Sequence, residues 1–134
     1  MKEQIINQEL FEALLSKASE SPRLRQNYDL RTTEADTSQR MLNALLPETE
    51  VPIHRHEATS ETVVCLHGKI EEIIYEEVAP EETAPEKRFK DVARYLLCPA
   101  ENQYGIQIPK GAWHTIRVLE PSLTFEAKDG AYQP

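Results

Sequence analysis

Near the N-terminus, Leu10, Phe11, Leu14, Leu15 and Ala18 recur at spacings of three and four residues, with Glu9, Glu12, Ser16 and Lys17 on the other positions. That period predicts an amphipathic helix over residues 7–19. Asn7 is placed to cap it, because its side-chain oxygen can take an unpaired N–H of the first turn, and Ile6 is placed to pack on Phe11. Ser21-Pro22 ends it, since the residue before a proline is pushed out of helical backbone. Residues 22–37 are polar and without period and predict a surface connection with a short extended piece. Their arginines Arg23, Arg25 and Arg31 read as solvated charge rather than as an anion site. Residues 38–47 fit either a helical or a strand period; Pro47 closing the run, and the histidines just beyond it, favour a strand.

From residue 50 the pattern changes to short alternating and β-branched runs. Residues 61–67 alternate around valine and threonine, residues 69–78 follow without Gly or Pro, and Gly68 between them offers a turn position where positive φ is easy. Residues 79–90 hold two prolines among charged side chains and predict a loop. Extended segments are expected at 92–98, 104–108, 113–119 and 122–127, separated by Pro99, Gly105, the Pro109-Lys110-Gly111 turn and Pro121. Many short strands at regular intervals after one helix predict an all-β antiparallel sandwich or barrel.

Length adds that the 134 residues suit one domain spanning 1–134, with the barrel over about 38–128. The net charge of −8 argues against nucleic acid or an anionic membrane surface as partner, because both are recognised by displaced counterions along Lys/Arg stripes. The first residues lack the apolar run of a secretory signal and nothing approaches a membrane span, so a cytosolic protein is expected. Cys65 and Cys98 lie in apolar runs without a CxxC spacing and read as buried small hydrophobes.

The chemistry concentrates in HRHEATSE. On an extended segment His54 and His56 project to one side about 6.6 Å apart, close enough to converge on one ion. Glu61 has the wrong parity for that side, so the intervening residues must turn and return it on a neighbouring antiparallel strand. His114 arrives from far along the chain, just past the Pro-Lys-Gly turn, on a face shared with Ile116 and Val118 that is expected to be the apolar barrel interior. Three imidazoles and a carboxylate suit a borderline divalent transition metal: Zn, Fe, Mn, Co or Ni. His67 lies about 20 Å along the strand from Glu61 and is rejected as a ligand. Arg55 faces outward by alternation. Tyr104 and Trp113 are expected to line the site mouth as substrate-binding side chains.

These residues resemble the cupin superfamily. Its first motif is met by His54, His56, Glu61 and Gly68, and its second by Pro109, Gly111 and His114, with Val118 where the motif ends in asparagine. Ser21-Pro22-Arg23, Gln39 to Leu45, Pro52 to His56 and Phe125 to Tyr132 further resemble the WbuC-type cupin metalloproteins. The resemblance implies a double-stranded β-helix, a jelly-roll barrel holding one metal, often as a homodimer in bacteria and often beside surface-polysaccharide biosynthesis genes. The expected function is a metalloenzyme acting on a small polar substrate such as a sugar or nucleotide-sugar, with no general base identified. The alternatives are a non-catalytic metal-dependent binding or sensor domain, and Fe(II) dioxygenase-type chemistry.

Overall fold

The computed structural model describes residues 2–79 and 88–132. One helix, α1 (Gln8–Glu20), precedes six strands: β1 (Arg25–Asp29), β2 (Ser38–Leu45), β3 (Glu61–Glu77), β4 (Phe89–Leu97), β5 (Gly105–Ile108) and β6 (Trp113–Asp129). Every ladder is antiparallel and the sheet runs β1-β2-β6-β3-β4, with β5 on the same edge of β3 as β4. No helix among the described residues is long and apolar enough to cross a membrane.

The helix forms where its period predicted, and Asn7 caps it by accepting the Leu10 N–H at 3.0 Å. Ile6, before the cap, stays 45% exposed. Phe11, Leu14 and Ala18 instead bury against Leu42, Ala44 and Leu123 on the outer face of β2 and β6. The strand reading of 38–47 holds, and most of the loop expected over 79–90 lies outside the described residues.

Two expected breaks are not breaks. Residues 61–77 form one strand straight through Gly68, and residues 113–129 form one strand through Pro121. The two long strands pair from Glu61↔Lys128 to Tyr75↔Trp113, with register shifts between Cys65 and Ile70. Gly68 adopts φ +95° there, and a β-carbon on it would collide with Ser122 and the Pro121 carbonyl. The glycine thus serves an irregular, bulged bend of the ladder rather than a turn, and side-chain parity reverses just before it, between Cys65 and His67.

That bend folds the sheet on itself. Leu45, Val63 and Cys65 from one half pack with Ile70, Leu97 and Val118 from the other in a single buried cluster. Register then fixes which polar residues share the interior. Leu45 pairs with Arg25, Asn43 with Asn27, Val63 with Glu126 and Glu61 with Lys128, so these positions face inward in one half. In the other half Ile74 pairs with His114 and Glu72 with Ile116. The His114 face is therefore not purely apolar, as its own strand suggested. Across the ladder it carries Glu72.

Candidate metal centre

The centre is assembled from three separate pieces of chain. His54 lies outside the named strands but exchanges both backbone hydrogen bonds with His114, the His54 N–H donating at 3.0 Å and the His114 N–H at 2.8 Å. Side chains of such a pair lie on the same side of the ladder. His56 is held by its carbonyl, which accepts the Gly111 N–H at 2.8 Å, so the Pro-Lys-Gly turn anchors the first histidine segment as well as delivering His114. The chain bends at Glu57 and Ala58, and Glu61 returns as the first residue of β3, as its parity required.

One ligand atom from each of His54, His56, Glu61 and His114 lies within 4.8 Å of the others. The Nδ1 atoms of His54 and His114 sit 2.9 Å and 3.0 Å from the carbonyls of Pro52 and Ala112. Donation from Nδ1–H to those carbonyls leaves Nε2 as the bare lone pair, the tautomer a metal needs, and fixes the ring planes. Glu61 Oε2 is 2.9 Å from His56 Nε2 and 3.5 Å from His114 Nε2. It is buried and receives no hydrogen bond of acceptable geometry. A carboxylate oxygen with imidazole nitrogens around it and no donor aimed at it is the environment a cation completes. The residues present therefore fit a divalent transition metal.

Electrostatics agree. Burial pushes the Glu61 carboxyl up, but the imidazoles of His114 and His56 and the charge of Lys128 outweigh it and hold the group well below the usual carboxylate range. Burial pulls His54 down, so it favours the neutral ligating form. Burial also pulls His114 down, yet Glu61, the Ala112 carbonyl and the charge of Glu72 together more than offset this and raise it.

The centre opens into a cavity of about 520 Å³ lined by the four residues and by Arg23, Arg25, Asn43, Glu72, Glu126 and Lys128 among others. Glu72 is 3% exposed and its Oε2 has no hydrogen-bond partner. Burial pushes its carboxyl up to about 8. Glu126 is raised to about 7, by burial and by the charge of Glu61, and accepts a hydrogen bond from Asn43 Nδ2 at 3.2 Å. Arg25, expected as solvated loop charge, is instead half-buried in the cavity wall.

Of the expected mouth residues, Trp113 lines a second, outer cavity of about 860 Å³ that also reaches His54 and His56. The Arg55 guanidinium lies 4.5 Å over its ring. Tyr104 is 57% exposed, bonds Asn102 through its hydroxyl and lines neither cavity. His67 packs its ring 4.9 Å from Phe11 on the helix side, away from the centre. Glu72 and Glu126 were not singled out from sequence, and Arg25 was read there as solvated charge. Glu72 has odd separation from Glu61, and only the register shift between Cys65 and His67 brings them to one interior; Arg25 is placed by its pairing with Leu45, which no local pattern announces.

A family model described as Domain of unknown function (DUF6016) matches residues 6–83. No curated protein matches the chain. Among solved structures, KdgF from Halomonas sp. has a TM-score of 0.60 at 16% identity, covering 84% of each chain. The cupin domain of Schizosaccharomyces pombe Cnp3 has a TM-score of 0.58 at 12% identity, covering 79% of this chain and 64% of that one. The capsular polysaccharide assembling protein CapF of Staphylococcus aureus has a TM-score of 0.62 at 19% identity, covering 85% of this chain but 28% of CapF. At such identities the likeness concerns the fold, and that fold is the cupin jelly roll with an N-terminal helix.

Proposed function

The chain belongs to the family described as Domain of unknown function (DUF6016), and on that premise we propose that it is a cupin metalloenzyme acting on a small polar substrate. His54, His56, Glu61 and His114 hold one divalent transition metal. The observation that carries the reading is the buried, donor-less Glu61 Oε2 crowded by two imidazole nitrogens beside an open cavity. A bound ion supplies Lewis-acid polarisation of a substrate oxygen, or a water of lowered pKa.

The chain's own residues supply the rest. Pro52 and Ala112 carbonyls hold two imidazoles in the ligating tautomer. Leu45, Val51 and Ile116 make the apolar part of the wall and limit water beside the centre. Glu72, facing the cavity with a free oxygen, can hold or release a proton at Oε2, which provides the acid–base group that the sequence did not reveal. A sugar or nucleotide-sugar is the substrate class we favour, in bacterial surface-polysaccharide biosynthesis. Support comes from the WbuC-type resemblance and from the fold shared with a capsular polysaccharide assembling protein.

Cobalt substitution tests the reading. An ion with positions left for substrate gives the weak visible absorption of five- or six-coordinate Co(II), and the bands shift when a nucleotide-sugar is added. Intense tetrahedral bands that no added ligand changes would instead assign a closed structural ion.

A further inference from the structure

The chain carries a net charge of −8, yet Arg23, Arg25 and Lys128 all line the 520 Å³ cavity. Elsewhere Arg31, Arg40, Arg55, Arg88 and Arg94 each have a carboxylate partner within ion-pair distance. Among the described residues, Arg23 and Arg25 do not, and neither does Arg117, which is exposed and lines neither cavity. Arg25 is nevertheless held: one of its nitrogens, Nη1, donates to the Glu50 carbonyl at 3.1 Å, and its backbone is pinned by the β1–β2 ladder opposite Leu45. Glu126, whose charge acts on Arg25 in the opposite sense, makes no ion pair with it and has Oε2 taken by Asn43.

A partly desolvated guanidinium beside a second one is an unfavourable arrangement in the empty protein. Burial, and then the charge of Arg23, both pull Arg25 below the usual arginine range. A bound anion relieves both effects, and a guanidinium with a free edge is the side chain best shaped to grip an oxyanion through two parallel hydrogen bonds.

We propose that the cavity selects an anionic small molecule, one bearing a carboxylate or phosphate group that docks on the free edge of Arg25, with Arg23 adding charge, while its remainder reaches the His54/His56/Glu61/His114 centre. This rests on the reading of the cavity as the substrate site and narrows the substrate to an acidic sugar or a sugar phosphate. A cavity of this volume holds a molecule of that size.

Titration calorimetry on the full metal-loaded chain tests it with galacturonate, galactose 1-phosphate and uncharged galactose as probes. The wild type is expected to bind at least one charged probe tenfold or more tightly than galactose, and which one identifies carboxylate or phosphate as the recognised group. Arg25→Gln is expected to lose that preference at least tenfold, and Arg25→Lys to recover part of it, with the thermal midpoint of both variants reported alongside. Equal binding of charged and neutral probes by the wild type, or an unchanged preference in a folded Arg25→Gln chain, overturns the proposal. Metal content measured on the same samples separates this outcome from failure of the metalloenzyme reading: a chain that takes up stoichiometric metal but ignores charge refutes only the anion site.

Discussion

Glu72 is the residue whose environment differs most from what its sequence context suggests. Within IEEIIYEE it reads as one of several solvated acids, but the interior register leaves it 3% exposed without a partner for Oε2. Burial pushes its carboxyl up to about 8 from an ordinary 4.5. The unfolded chain releases this proton near the lower value while the folded chain keeps it, so stability falls as pH rises between the two and levels off above about 8. Glu72→Gln removes the ionisation and keeps the shape. In metal-free protein the variant is therefore expected to match wild type at pH 5 and to exceed it by about 2–4 kcal/mol at pH 8, by urea unfolding. Equal stabilities at pH 8 would show that Glu72 is not held protonated by burial. The four residues proposed to hold the metal were, by contrast, brought together as their spacing suggested: imidazole and carboxylate spacing points to chemistry directly, whereas a buried acid is indistinguishable in sequence from a surface one.

At the scale of elements, α1 was legible because helical period needs only local spacing, and the strands because alternation does. Gly68 and Pro121 were not, since both are turn residues in isolation. Only the opposite strand explains them: Pro121 and Ser122 sit where a Gly68 β-carbon would be, and the glycine is needed for close approach in a bulge. In the same irregular stretch, the register shift between Cys65 and His67 reverses parity between Glu61 and Glu72 and so decides what the cavity contains. Gly68→Ala combines a left-handed backbone with a clash against main chain and is expected to destabilise the chain by about 2–4 kcal/mol. A thermal midpoint unchanged from wild type would contradict the bulge account.

For the whole molecule, a sheet bent on itself leaves one interior between its halves, filled at one end by Val63, Ile70, Leu97, Ile108 and Val118 and open at the other as the cavity. The polar end cannot be packed away, because its acids and imidazoles lack enough mutual partners, and a bound cation is what completes them. Inward placement of Arg25 and Glu126 depends on the long-range pairing of β1 with β2 and of β6 with β3, which is why sequence spacing pointed to the four candidate ligands but not to these cavity residues. The most direct test is the metal content, by elemental analysis, of wild type, His56→Ala and His67→Ala purified without chelators. About one transition-metal ion per chain in wild type and His67→Ala, and essentially none in His56→Ala, is the predicted result. Equal metal in wild type and His56→Ala, or none in wild type, would contradict it.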